Sequence, residues 1–467
     1  RLVKVAVYLL FFVSPLAAAE DLAELTRSVA DSHGATANRI IEKAMTDHGA
    51  WEKLEYLCDR IGHRLSGSPQ LERAIEWAAS EMRKDGLRNV STPPVEVQHW
   101  VRGDESAEIL SPIKKKLHML GLGRSIGTPP GGIRGEVVVV RSFDELAGLE
   151  RAEVAGTIVV YNVVYEGYGR TVKYRSSGAS RAAELGASAA LVRSITPVSL
   201  QSPHTGAMRY ADGVKKIPFA AISIEDAKLL QRLTDSGERV EVQLNMEART
   251  LPPATSANVI GEVVGWEHPE EVVVIGGHID SWDVGQGAHD DGGGVVVAMQ
   301  AARILLDLEL KPRRSIRVVL WTNEENGLAG GRAYREWIGD EIVRHRAAIE
   351  MDSGVEKPVG FGLGIRREDL AKEEADRALA LVSAIGNLLQ PVGAARVVRG
   401  GGGADISPLM REGVPGLGLR TVGEHYFDWH HTEADTIDKV KPEDLKAAVA
   451  AMAVMAYVLA DMPGELL

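Results

Sequence analysis

In the C-terminal half of the chain, runs of β-branched apolar residues alternate with stretches of helical periodicity. Residues 272–275 form one such run, the pattern of a strand buried on both faces. Apolar residues then recur at helical spacing from Val295 to Leu306. Further strand-like runs are separated by helical stretches: 258–264, 315–321 and 347–351. Strands that alternate with helices predict a largely parallel sheet covered by helices on both faces.

The first hundred residues are mainly of the helical type, from Asp21 to about Arg88. Ser68 and Pro69 precede the apolar pattern of residues 71–87, so Ser68 is the predicted N-cap and Pro69 lies in the first turn. The chain ends with a second strongly helical stretch, from Pro442 to about Met462.

Between these two parts the pattern changes to short strand-like runs separated by loops rich in glycine and proline. Two prolines, Pro252 and Pro253, mark the end of this section. We therefore predict an inserted β-rich domain at 109–250, between a first part at 20–108 and a last part at 251–467. No group of potential metal ligands lies in the inserted section.

The N-terminal residues have the pattern of an export signal. Arg1 and Lys4 are basic, an apolar run follows, and Ala17 to Ala19 supply small residues for cleavage. We predict a signal peptide at 1–19 and an exported protein, secreted or periplasmic, without a stable membrane span. A short propeptide at the start of 20–108 and a simple N-terminal helix explain the next residues equally well.

Composition narrows the range of possible partners and sites. The net charge is −12 and no Lys/Arg-rich run occurs in the 467 residues, so we expect no nucleic-acid partner. Cys58 is the only cysteine, which excludes an intrachain disulfide and a thiolate zinc site.

Polar clusters follow the predicted strands, where open α/β sheets bind their ligands. They contain two histidines and three carboxylates able to bind a metal: His278, Asp290, Glu325, Asp352 and His431. Such ligands without sulfur suit zinc, and a bridging carboxylate could hold two ions about 3.5–4 Å apart. Glu324, next to a ligand but free, would be the general base. Alone, each residue would be an ordinary buried histidine, helix cap or turn.

The segment Gly277–Ala288 with residues 290–294 carries a more specific resemblance, supported by the clusters at 320–325, 403–406 and 431–436. The chain resembles the co-catalytic zinc exopeptidases of the aminopeptidase Y type, and within them the carboxypeptidase Q subfamily. The similarity covers nearly all of the chain after the signal. It implies a three-layer α/β/α zinc-exopeptidase fold, phosphorylase/hydrolase-like, with a protease-associated inserted domain.

The resemblance also implies a role for each candidate residue. Asp290 would bridge two zinc ions, with His278 and Asp352 on one ion and Glu325 and His431 on the other. Glu324 would act as base and then acid, and a cis peptide bond would follow Asp290. Four further residues are candidates for contacts to the ligands or the substrate: Asp280, Asp291, Asp405 and His430. Of these, Asp280 would orient His278. His430 competes with His431 as a ligand, and the His-Thr-x-x-Asp-Thr spacing favours His431.

The expected reaction is hydrolysis of short peptides, above all dipeptides with a free N-terminus, by a zinc-bridging hydroxide. A broad-specificity zinc aminopeptidase is the alternative within the same chemistry. A single-zinc glutaminyl cyclase and a metal-free binding protein are alternatives from other classes, and the full ligand set argues against both. A homodimer is a further expectation from the resemblance.

Overall fold

The computed structural model describes residues 15–467, with side chains from residue 23 onward. The predicted export signal lies largely outside the described residues, and export stays a prediction. Among the helices of the described part, none is both long enough and apolar enough to cross a lipid bilayer.

The main sheet has eight strands in the order β1-β12-β14-β13-β15-β18-β16-β17. The elements before the second sheet are α1 (Pro15–Thr46), α2 (Gly49–Tyr56), α3 (Pro69–Lys84), β1 (Arg88–Ser91) and β2 (Pro94–Val101). Those between the second sheet and the end are β11 (Arg249–Ala257), β12 (Val259–Val263), β13 (His268–His278), α9 (Gly293–Asp307), β14 (Arg314–Trp321), α10 (Ala329–Ile338), β15 (His345–Glu350), β16 (Pro358–Gly364), α11 (Lys372–Asn387), β17 (Arg396–Arg399), α12 (Ser407–Arg411), β18 (Gly416–Thr421), α13 (Tyr426–Trp429) and α14 (Pro442–Asp461).

Helices cover both faces of this sheet, because successive side chains of its strands point to opposite sides. On β13, Val273 and Ile275 pack with α1, α9 and α14, whereas Val272 and Val274 pack with α10 and α12. The three-layer arrangement is therefore present. The central strands are parallel, but β1 pairs antiparallel with β12, β12 with β14 and β16 with β18, so the sheet is mixed toward its edges.

The second sheet also has eight strands, in the order β4-β3-β10-β6-β7-β8-β9-β5. Its elements are β3 (Glu105–Ser111), β4 (Lys115–Leu117), β5 (Met119–Gly121), β6 (Ile133–Val140), α4 (Phe143–Ala147), α5 (Arg151–Val154), β7 (Ile158–Tyr161), α6 (Tyr168–Thr171), α7 (Lys173–Glu184), β8 (Ala189–Arg193), β9 (Phe219–Ile222), α8 (Ile224–Asp235) and β10 (Glu241–Met246). Strands β6 to β9 are parallel, with helices in the connections from β6 to β7 and from β7 to β8. This section is thus α/β in character, where the sequence pattern predicted a β-rich one.

The two sheets are joined through the ribbon of β2 and β11 and through side chains of the segment after β13. Trp282 belongs to the hydrophobic core of the second sheet, where its ring lies against Gly123. Asp283 accepts two hydrogen bonds from the Arg102 guanidinium, at 2.8 and 2.5 Å. The second sheet therefore fixes the position of the segment that follows His278.

Local signals in the sequence explain where several helices begin. The Ser68 hydroxyl accepts a hydrogen bond from the Leu71 N–H at 3.2 Å, with Pro69 in the first turn of α3. The predicted N-cap is confirmed. At α9, Asp291 lies one residue before the N-cap Gly292, and its Oδ1 accepts a hydrogen bond from the Gly294 N–H at 3.1 Å.

Candidate metal centre

The predicted ligands converge at the carboxyl edge of the main sheet. His278 is the last residue of β13, and Glu325 follows β14 by a short turn. Asp352 follows β15, and His431 follows α13. Because the central strands are parallel, their carboxyl ends meet at one edge, which brings together residues distant in sequence.

Asp290 lies at the middle of the cluster, between two imidazoles. Its Oδ1 lies 3.2 Å from Nε2 of His278, and its Oδ2 lies 3.1 Å from Nε2 of His431. On the first side, Asp352 Oδ1 is 3.5 Å from the same nitrogen of His278. On the second side, Glu325 Oε2 is 3.1 Å from the same nitrogen of His431. The cluster thus has two halves that share Asp290.

The tautomer of each histidine is fixed by a backbone carbonyl. Nδ1 of His278 lies 3.0 Å from the carbonyl oxygen of Asp280, and Nδ1 of His431 lies 3.2 Å from that of Thr205. A carbonyl oxygen can only accept, so each Nδ1 donates, and it is Nε2 of each ring that faces the carboxylates. Nε2 donates to these carboxylates when it is protonated, and a neutral ring would offer its Nε2 lone pair to a cation placed between them.

The pKa shifts of the carboxylates in the cluster also fit a cation site. Burial would raise the pKa of Asp290, but hydrogen bonds with His278 and His431 hold it well below its usual range. Burial, then the Asp290 charge, raise the pKa of Glu325 to about 7. The Oε1 atom of Glu325 is buried without a hydrogen-bond partner in the described part of the chain. A buried donor set of this charge fits divalent cations. Ligand atoms that could hold an ion come together in two groups, His278 with Asp290 and Asp352, and Asp290 with His430 and His431. Glu325 adjoins the second group through His431.

Glu324 lines the cavity above the candidate ligands, which has a volume of about 340 Å³. Burial raises the pKa of this carboxyl well above its usual range, and the Asp352 and Glu325 charges act in the same direction. Its backbone N–H donates to Oδ1 of Asp280 at 3.0 Å, and the N–H of Glu325 donates to Oδ2 at 3.3 Å. Asp280 therefore holds the turn that carries both glutamates.

Comparison with known proteins identifies the family. The sequence model of Peptidase family M28 matches residues 258–456, a range that contains all five candidate ligands. Carboxypeptidase Q of Mus musculus is 45% identical over 413 residues, which are 88% of this chain and 86% of the mouse protein. The chain belongs to peptidase family M28.

A further relative and two solved structures support the same family and fold. Carboxypeptidase Q of Homo sapiens is 43% identical over 92% of this chain and 90% of its own. The structure of a peptidase M28 precursor from Shewanella amazonensis SB2B superposes with a TM-score of 0.88 at 37% identity, covering 93% of this chain and 98% of that one. BSAP, a zinc aminopeptidase from Bacillus subtilis, shares the fold at 19% identity, with a TM-score of 0.66 over 90% and 96% of the two chains. The predicted zinc-exopeptidase fold, the carboxypeptidase Q-like resemblance and the assignment to the metallopeptidases are confirmed.

The remaining candidate site residues of the M28 peptidase differ in what they contact. The carboxylate of Asp280 is 3.6 Å from Nδ1 of His278, farther than its own carbonyl oxygen, so it contacts mainly the Glu324 turn. Asp291 accepts a hydrogen bond from the His278 N–H at 3.0 Å, and the Asp290–Asp291 peptide bond is cis. Asp405 is buried and does not line the cavity, and the nearby Glu350 charge adds to the effect of burial in raising its pKa.

His430 and His431 both reach the shared aspartate. Their rings are stacked with centroids 3.5 Å apart, and Nε2 of His430 is 3.5 Å from Oδ2 of Asp290. His431 is the closer of the two and also contacts Glu325, whereas His430 lies among aromatic rings, including Tyr168 and Tyr426. Ligand atoms of both histidines lie close enough to Asp290 to hold one ion, and His431 has the shorter distance to Asp290.

The sequence analysis did not assign a role to two residues that hold the Asp290 loop in place. Asp435 accepts hydrogen bonds from the N–H groups of Ala288, His289 and Asp290, at 3.1, 2.8 and 3.1 Å. Arg64 is fully buried and donates to carbonyl oxygens of four residues: Gly62, Ile279, Gln286 and Gly287. Both side chains hold the loop that ends in Asp290. Asp435 lay inside a recognised motif, but nothing in the sequence pattern distinguished Arg64 from an ordinary loop arginine.

Proposed function

We propose that this M28 peptidase is an exopeptidase that binds two zinc ions per chain and hydrolyses short peptides, above all dipeptides with a free N-terminus. The observation that carries the proposal is the position of Asp290, whose two oxygens lie 3.2 and 3.1 Å from Nε2 of two different histidines. His278 and Asp352 would complete one zinc ion, and Glu325 and His431 would complete the other. The resemblance to the carboxypeptidase Q proteins supports the dipeptide preference.

Zinc bound there would supply an activated water and would polarise the scissile carbonyl group. The remaining steps fall to the side chains of the chain itself. Glu324 takes a proton from the attacking water at its carboxylate and delivers it to the leaving amine, which restores the base. Its raised pKa suits a group that must accept a proton and return it. Asp280 keeps Glu324 in place through the backbone N–H.

The shape of the site supports short substrates. The cavity of about 340 Å³ is at the small end of the usual range for ligand sites. The second sheet closes one side of it, with Tyr168 and Arg175 in its wall. We propose that residues 109–250 are a protease-associated domain that limits the length of the bound peptide. We also propose that the chain is exported and that it forms a homodimer.

Hydrolysis of a free dipeptide and of its N-acetylated form tests the substrate assignment. The zinc-loaded protein is expected to cleave the free dipeptide and to leave the acetylated one essentially intact, because the acetyl group removes the charged amine. Liberated amino acids are measured by chromatography, and a longer peptide with a free N-terminus is the third substrate. Equal cleavage of the dipeptide and the longer peptide would favour the broad aminopeptidase, and cleavage of the acetylated dipeptide would contradict the free N-terminus requirement.

A further inference from the structure

One wall of the cavity is basic, opposite the carboxylates of the metal centre. Arg124, Arg175 and Arg209 all line it, and all three come from the section that forms the second sheet. The acidic side of the same cavity contains Asp290, Glu324, Glu325 and Asp352. The site therefore has an acidic and a basic side within a volume of about 340 Å³.

The arginines of this wall have neutral partners. Arg124 donates from Nε to the side-chain oxygen of Asn326 at 3.1 Å and from Nη2 to its carbonyl oxygen at 2.5 Å. Arg175 donates to the Tyr168 hydroxyl at 2.7 Å and to the Thr205 carbonyl oxygen at 3.3 Å. In the part of the chain that the structure describes, none of the three wall arginines forms an ion pair with a carboxylate. A ligand can therefore supply the missing negative charge.

Within the wall, Arg124 and Arg209 differ from Arg175. The two terminal nitrogens of Arg175 are both used, because Nη2 donates to the Tyr168 hydroxyl and Nη1 to the Thr205 carbonyl oxygen. The N–H of Thr205 in turn donates to the His431 carbonyl oxygen at 3.0 Å. Arg124 keeps Nη1 free of hydrogen bonds to described residues, and the exposed Arg209 side chain forms none. Burial lowers the pKa of Arg124, and the Arg209 charge lowers it further, so these two cations lie near each other without a counter-ion.

We propose that Arg124 and Arg209 bind the C-terminal carboxylate of the substrate and so place the end of the chain one residue beyond the scissile bond. The inference rests on the proposed peptidase function and names the substrate class more narrowly. Asn326, which holds Arg124, directly follows the candidate ligand Glu325, so the guanidinium is anchored beside the metal centre. One residue spans about 3.3–3.6 Å, and guanidinium groups bind carboxylates with two parallel hydrogen bonds. In a dipeptide the carboxylate lies one residue beyond the scissile bond, whereas in a longer peptide it lies farther away.

A dipeptide and its C-terminal amide test this anchor. The wild-type protein is expected to show a kcat/KM about 10- to 100-fold lower for the amide, the loss that follows from removing one charge-assisted contact. Arg124→Gln is expected to lower kcat/KM for the acid by a similar factor and to change the value for the amide little. The ratio of the two substrates then falls toward one. Arg209→Gln should reduce the same ratio.

Arg332→Gln is the matched control. Arg332 is exposed, and its charge also lowers the pKa of Arg124, but its side chain does not line the cavity. It should keep the wild-type ratio. Calorimetric binding of the acid and the amide to Glu324→Gln provides a readout without turnover, so a missing carboxylate anchor is distinguished from a missing peptidase activity. Equal binding and equal cleavage of both substrates by the wild-type protein would overturn the inference, as would an unchanged ratio in both wall variants.

Discussion

Glu324→Gln is expected to lower kcat for dipeptide hydrolysis by about 10²- to 10⁴-fold, the usual contribution of a general base. Glutamine keeps the shape of the side chain but cannot take a proton from water. Circular dichroism and zinc content should match those of the wild-type protein, because Glu324 lies beside the ligands and Asp280 holds its backbone. Steady-state kinetics with a free dipeptide measures the loss.

Glu336→Gln is the control for Glu324→Gln, since Glu336 is exposed on α10 and has the same chemical change. Its turnover should equal that of the wild-type protein. Undiminished kcat in Glu324→Gln would remove this residue from the proton transfer. A loss of zinc in the same variant would instead make Glu324 part of the ligand set.

Asp290→Asn is expected to give the largest effect on metal binding. Each oxygen of Asp290 faces a different histidine, so this substitution weakens both halves of the cluster at once. We expect the zinc content to fall from about two ions per chain to less than about one, because a neutral amide cannot bridge two cations as a carboxylate does. Elemental analysis of the dialysed protein provides the measurement, and hydrolysis of the dipeptide should fall with it.

Asp59→Asn is a suitable companion to Asp290→Asn. Asp59 is exposed and accepts a hydrogen bond at 3.0 Å from the side chain of Gln286 in the Asp290 loop, but it lies outside the cluster. This variant should retain its full zinc content. Full zinc occupancy of Asp290→Asn would show that Asp290 does not bridge the ions.

The sequence was informative where chemistry and local pattern coincide. His278 and Asp352 follow apolar strands, so the rule that ligands bind at the carboxyl ends of strands was enough to group them. The Ser68 cap was predictable because it depends on neighbouring residues only. The antiparallel strands at the edges of the main sheet were not, because short half-exposed segments such as β1 lack a continuous apolar run.

Contacts between distant parts of the chain were beyond the sequence pattern. The second sheet contains β10, whose buried residues alternate with Gln243 and Asn245, and such a strand has no continuous apolar signal. The parallel strands β6 to β9 are connected by helices or, between β8 and β9, by a long loop, and no spacing in the sequence indicates which of them pair. Likewise, the Thr205 carbonyl oxygen near Nδ1 of His431 belongs to the loop between β8 and β9, so no spacing in the sequence could indicate this contact.

Titration of the metal-free protein with zinc tests the two-ion site most directly. Dipeptide hydrolysis and bound zinc are followed together after the metal has been removed with a chelator. Two zinc ions per chain should bind, and activity should reach its maximum only when both halves of the cluster around Asp290 are filled. Full activity at one zinc ion per chain, or the absence of zinc binding, would contradict the proposed centre.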